Sequence, residues 1–125
     1  MNILYHFTTA TNADAIKKNG LTKGVTPVNE DEKIAFIQHT QWLTIDPNVQ
    51  NQSWATRGRT QAIVKVNIPV PLATEKLIPF DIFCAALGER KVEGFDAKPE
   101  LTKYWYVYLG IIPPQWIVSV RKIKE

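Results

Sequence analysis

Ile3-Leu4-Tyr5-His6-Phe7-Thr8, followed at once by Thr9-Ala10-Thr11-Asn12-Ala13-Asp14-Ala15-Ile16-Lys17-Lys18-Asn19-Gly20-Leu21, is the stretch on which the fold turns. Its first six residues are β-branched and aromatic, and small polar residues bound them, which is the composition of a short strand. Beyond the strand, Thr9, Thr11 and Asn12 are available N-caps, and Asp14 suits the positive end of a helix dipole. Lys17 and Lys18 suit its negative end before Asn19-Gly20 closes the turn. The pattern predicts a helix of about 13–18 with Ile16 facing inward.

Further along the chain, residues 21–33 carry Gly24, Pro27, Asn29 and the acidic run Glu30-Asp31-Glu32. That composition predicts an exposed, mobile connection rather than a packed element. Gln41-Trp42-Leu43-Thr44-Ile45 reads as a buried strand ended by Asp46-Pro47-Asn48. A long polar loop of 48–60 comes next, containing Trp54, Arg57, Gly58 and Arg59, and ordered loops of that length are often functional. Gln61-Ala62-Ile63-Val64-Lys65-Val66-Asn67-Ile68 predicts a half-exposed strand stopped by Pro69. Residues 69–79 are punctuated by proline, and 80–87 predict a short helix with Phe80, Phe83, Cys84 and Leu87 on one face and Gly88 as its stop. A charged loop leads to the strand Tyr104-Trp105-Tyr106-Val107-Tyr108-Leu109. Gly110 to Pro114 breaks it, and Trp116-Ile117-Val118-Ser119-Val120 makes the last strand before the basic tail Arg121-Lys122-Ile123-Lys124. Strands outnumber helices and do not alternate with them regularly, so the expected class is α+β with a twisted, mainly antiparallel sheet.

Composition bounds the chemistry. The chain has 125 residues, 45% hydrophobic and 22% charged, which fits a single domain over 1–125. At that length roughly two-thirds of the unfolded chain's surface is buried on folding, so neither disulfide nor metal is required. A lone cysteine, Cys84, excludes an intramolecular disulfide and cysteine-based zinc sites, and two histidines give little basis for another metal centre. No window reaches the roughly twenty apolar residues that span a bilayer, and Met1 to His6 show no secretory n-region, so the expectation is a cytoplasmic protein without a membrane. Fifteen Lys and Arg against twelve Asp and Glu give +3, which permits an anionic partner without demanding one.

No Gly-rich phosphate loop, Gly-x-Gly-x-x-Gly, Gly-x-Ser-x-Gly or His-Glu-x-x-His motif is present. His6, at the end of a strand beside hydroxyls and a helix N-terminus, is placed to hydrogen-bond a ribose hydroxyl or phosphate. The alternative is a histidine satisfied by backbone partners. Arg57 and Arg59 suit phosphate, and Trp54 suits a base, against the alternative of a solvated loop with one packed tryptophan.

The run from Leu4 to Leu21 resembles the N-terminal NAD-binding segment of the ADP-ribosyltransferase superfamily. It is nearest to small bacterial DNA-targeting toxins of that superfamily and more remotely similar to RNA 2′-phosphotransferases. The resemblance implies a split sheet with short helices and NAD held as substrate in a cleft between the sheet halves. It gives His6 contact with a ribose, gives the backbone beside it, at Phe7 and Thr8, the nicotinamide amide, and offers Tyr5 or Trp42 as the stacking surface. Trp42-Leu43-Thr44 is similar to a family strand ending beside the nicotinamide pocket, which gives Thr44 the nicotinamide ribose, unless Trp42 and Leu43 are core and Thr44 a turn residue. Arg57 and Arg59 would meet the pyrophosphate. The family also places a glutamate near the start of a late strand, and here this sequence departs from it: Trp105 or Tyr106 stands there. Glu100, the nearest upstream carboxylate, is the candidate for that catalytic role, although its spacing does not match the family's, and Gln115 is the nearest polar side chain downstream. The implied activity is ADP-ribosyl transfer to a protein or nucleic acid, with an antitoxin or inhibitor as a further partner. The alternative is a catalytically inactive nucleotide- or nucleic-acid-binding module of the same fold.

Overall fold

The computed structural model describes residues 2–30, 32–48, 61–88, 91–92 and 103–123. Trp54, Arg57, Arg59, Arg90, Glu100 and Lys124 lie outside them, as do most of the 48–60 loop and most of the charged loop before Lys103.

The elements run in the order β1 (Asn2–Thr8), α1 (Ala10–Asn19), β2 (Val25–Glu30), β3 (Lys33–Gln38), β4 (Thr40–Thr44), β5 (Ala62–Ile68), α2 (Val70–Lys76), β6 (Leu77–Pro79), α3 (Phe80–Ala86), β7 (Lys91–Val92), β8 (Trp105–Leu109) and β9 (Ile117–Lys122), with a 3₁₀ turn Pro114–Trp116 before β9. Six strands form one sheet in the order β6-β8-β4-β1-β5-β9, and three form a second in the order β3-β2-β7. Every strand pair is antiparallel. The fold is α+β with short helices.

Helix α1 begins earlier than expected, at Ala10, because Thr9 is the cap: its hydroxyl accepts the Asn12 N–H at 3.1 Å. Thr11 and Asn12 are thereby inside the helix. It ends at Gly20, whose φ of 84° is open only to glycine, and a Cβ there would collide with the Ile112 carbonyl oxygen. Ile16 is buried as expected.

The exposed connection expected over 21–33 is instead mostly strand. Val25–Glu30 pairs with β3 along its length, and Thr26 and Val28 are fully buried. Pro27 is tolerated because it lies three pairs from the closing pair Glu30–Lys33, which turns its missing N–H away from β3. On that other side, β7 pairs only with Val28 and Asn29. Strand β5 is more buried than the half-exposed strand expected, because it lies inside the large sheet: Ala62, Ile63, Val64, Val66 and Ile68 are all buried. The proline-punctuated 69–79 resolves into α2 and β6.

Hydrophobic clusters pack against both faces of the large sheet, the second of them over β4 and β8. On one, Leu4, Leu43, Val64, Val66, Ile68 and Tyr108 pack with Ile16 of α1, Leu72 of α2 and Trp116. On the other, Trp42, Trp105 and Val107 meet Phe80 and Phe83 of α3, Leu87 just after it, and Val28 of the small sheet. Trp42, Phe80 and Trp105 form an aromatic triangle, with centroids 5.4 Å apart from Trp42 to Phe80 and from Phe80 to Trp105. Among the described residues no helix is long and apolar enough to cross a membrane.

Candidate functional site

The large sheet is made of two halves, β6-β8-β4 and β1-β5-β9, whose junction is slight. Within the halves, β1 pairs with β5 at every residue, and β4 with β8 at every residue of β4. Between them the register holds one pair, Tyr5 opposite Thr44. Next to that pair the His6 side chain takes over from the ladder, its Nδ1 lying 2.8 Å from the Trp42 carbonyl oxygen. A carbonyl only accepts, so Nδ1 carries the proton.

The backbone of the adjoining helix start is already employed. The Ala10 N–H donates to the Gln61 side-chain oxygen at 2.9 Å, the Asn12 N–H to Thr9 Oγ1, and the Ala13 N–H to the Thr9 carbonyl at 3.0 Å. Phe7 and Thr8, given the nicotinamide amide by resemblance, are both buried.

Alternation along the strands separates the remaining candidates. Leu4, His6 and Thr8 share a face with Val66, Val64 and Ala62, their partners on β5. Tyr5 and Phe7 belong to the opposite face, as do Trp42 and Thr44 on β4, whose partners Val107 and Trp105 lie over α3. The structure thus brings Tyr5 and Thr44 opposite each other but puts the His6 ring on the other face from the Trp42 ring and the Thr44 hydroxyl. Thr44 is fully buried, and its Oγ1 accepts the Asp46 N–H at 3.1 Å. The Trp42 indole N–H donates to Thr26 Oγ1 at 2.8 Å. At the start of β8, Trp105 is buried and Tyr106 half-buried. Arg57, Arg59 and Glu100 lie outside the described residues.

A concavity of about 320 Å³ opens on the Tyr5 face, lined by Tyr5, Pro47, Ile63, Lys65, Ser119 and Arg121. Register explains its composition. Tyr5, Lys65 and Ser119 are cross-strand partners in one row over β1, β5 and β9, with Ile63 and Arg121 as partners in the next. Sequence reasoning does not reach Lys65, Ser119 and Arg121 as binding residues. The one available signal is Lys65, a lone cation in the apolar run 62–66.

Cys84, on α3, is half-buried, and burial, followed by the nearby Asp81 carboxylate, pushes its thiol above the ordinary value. This is the opposite of what an activated nucleophile needs. Among the described residues no three His, Cys, Asp or Glu side chains gather as a metal site. Comparison with protein-family models finds no match to this chain, and comparison with curated proteins finds none.

Proposed function

We propose that this protein is an ADP-ribosyltransferase-like domain that binds NAD at the junction of its sheet halves and transfers ADP-ribose to a protein or nucleic acid. The observation that carries the reading is the opening between β1 and β4, held by the Tyr5–Thr44 pair and bridged by His6 to the Trp42 carbonyl. A split sheet with a histidine on its first strand beside the split is what the resemblance of residues 4–21 implies. In this chemistry the bond between the ribose C1′ and the nicotinamide nitrogen breaks and nicotinamide leaves with the bonding pair. The acceptor's nucleophile then bonds to C1′ and gives up its proton. His6 contributes by contacting a ribose while its Nδ1–H stays on the Trp42 carbonyl, which fixes the orientation of the ring.

A second reading, a nucleotide-binding module without turnover, draws support from Thr44, Trp105 and Tyr106. The Thr44 hydroxyl oxygen accepts the Asp46 N–H of its own turn, and the start of β8 presents two aromatic side chains where a carboxylate would stabilise an oxocarbenium-like transition state.

The test combines thermal melting with nicotinamide release. NAD at a hundredfold excess over its dissociation constant stabilises a folded binder by about 2.7 kcal/mol, readily seen as a rise in Tm. His6→Ala is expected to abolish the rise while leaving the circular dichroism of the domain unchanged. Absence of any shift with NAD and with ADP-ribose at millimolar concentration overturns both readings; a shift without free nicotinamide selects the second.

A further inference from the structure

We infer that the groove on the Tyr5 face is a second ligand site, distinct from the His6 side of the split, and that it takes a nucleoside monophosphate. Lys65 and Arg121 are diagonal neighbours on one face of β5 and β9, a relation that puts backbone positions roughly 7–8 Å apart. Among the described residues no ion pair joins either one to a partner, and none that line the groove is a carboxylate. Both side chains line the groove and both carry a positive charge, so an anion there is attracted to each. A phosphate dianion matches both donors, since guanidinium offers a two-point fork and ammonium a mobile point charge. The Ser119 hydroxyl, directly across from Lys65 and on the same strand as Arg121, adds a neutral donor.

The rest of the lining specifies what the phosphate is attached to. Tyr5 is half-buried, so part of its ring faces the groove, with the apolar side chains of Pro47 and Ile63 nearby. A planar ring stacks on such a surface. Size sets the limit: about 320 Å³ is at the lower end of the range for small-molecule pockets, room for one nucleoside with its phosphate rather than a dinucleotide. Because Tyr5 and His6 are consecutive on β1, their side chains leave opposite faces of the sheet, and this site does not depend on NAD binding at the split.

The probe is adenosine 5′-monophosphate, titrated into the full chain and followed by amide and side-chain NMR shifts, with adenosine and inorganic phosphate as separate arms. The expected result is saturable shifts at Tyr5, Lys65, Ser119 and Arg121, with adenosine and phosphate each binding at least about tenfold more weakly than the monophosphate. Lys65→Gln and Arg121→Gln each weaken binding by about tenfold or more, the loss of one charge-assisted hydrogen bond. Arg121 is exposed and Lys65 only half-buried, and unchanged amide spectra elsewhere certify that both variants remain folded. His6→Ala leaves the saturable shifts at Lys65, Ser119 and Arg121 in place, whatever it does to binding at the split. The inference is overturned by the absence of groove shifts at millimolar monophosphate, by equal binding of adenosine or of phosphate, by binding that survives both substitutions, or by loss of the groove shifts in His6→Ala.

Discussion

Replacing Thr26 by valine tests the contact that fastens the small sheet to the large one. Thr26 on β2 is fully buried and stands in a directional chain of hydrogen bonds. The Trp42 indole N–H donates to Thr26 Oγ1 at 2.8 Å, Thr26 Oγ1 and Thr40 Oγ1 are 2.7 Å apart, and Thr40 donates to the Ile37 carbonyl at 3.2 Å. Thr40 has one hydroxyl proton and uses it on Ile37, so Thr26 must donate to Thr40 and accept from Trp42. Every donor is satisfied only if Thr26 does both. Valine keeps the shape and removes the hydroxyl, which leaves the indole N–H without its acceptor and removes the proton aimed at Thr40. The net loss is about 2 kcal/mol, within the roughly 1–3 kcal/mol that an orphaned buried polar group costs. For a chain of this length that is a fall in Tm of roughly 6–10 °C. Thr26→Ser keeps the hydroxyl and drops one methyl, for a loss of about 1 kcal/mol. Urea unfolding monitored by tryptophan fluorescence measures both, and the Trp42 indole N–H resonance reports the bond directly. If valine is no more destabilising than serine, or the indole resonance does not move, the chain of hydrogen bonds does not join the sheets as described.

Gly20→Ala is expected to cost at least about 2 kcal/mol in urea unfolding, because alanine must adopt a glycine backbone conformation and its Cβ collides with the Ile112 carbonyl oxygen; a loss under about 0.5 kcal/mol contradicts that geometry. Phe80→Ala, which empties the centre of the aromatic triangle, costs about 3–5 kcal/mol, whereas Phe36→Ala, at a side chain 59% exposed, stays within roughly 0.5 kcal/mol in the same assay. Burial raises both the Cys84 thiol, with help from Asp81, and the Tyr108 phenol. In the folded state both hold their protons to higher pH than in the unfolded chain, so this stabilisation is complete below the unfolded values and is lost as pH rises through the folded ones. Melting temperature should therefore fall from about pH 9 upward, Cys84→Ser should delay the onset, and iodoacetamide should label Cys84 slowly near neutral pH and faster in Asp81→Asn.

The strands legible in the sequence are those whose composition and packing agree. Residues 3–8, 62–68 and 105–109 are β-branched or aromatic runs closed by clear stops, and β1, β5 and β8 lie there. The small sheet is hidden because its local chemistry argues against it: Gly24, Pro27, Asn29 and an acidic run all favour a turn. What overrides them is tertiary. Val28 is buried against Phe80, Phe83 and Leu87, more than fifty residues further along the chain, and Thr26 accepts the indole of Trp42 on a different sheet. At the split, His6 stands out by its place at a strand end. That its Nδ1 is held by a carbonyl of β4 depends on how far β1 and β4 diverge, which residue types alone do not encode.

The phosphate groove is hidden for a different physical reason, and it turns on a single residue of β9. Regular alternation from Ile117 would place Ser119 and Arg121 on the same face as Ile117, against the core, and Val118 and Val120 outside. The pairing with β5 contains a bulge instead: Lys65 opposes Ser119 while Val66 opposes Ile117, so Val118 is the extra residue, and it is 54% exposed. Past the bulge the faces exchange. Ile117 and Val120 both pack on the core, and Ser119 and Arg121 both turn to the Tyr5 face beside Lys65. One unpaired valine therefore does two things at once. It spares the core a buried serine and arginine, and it assembles two cations, a hydroxyl and an aromatic ring from three separate strands into one concavity. The same pleat that places these groups together divides Tyr5 from His6, so neighbours in the chain serve opposite faces, and one short strand, β1, supplies a residue to each of the two proposed ligand surfaces.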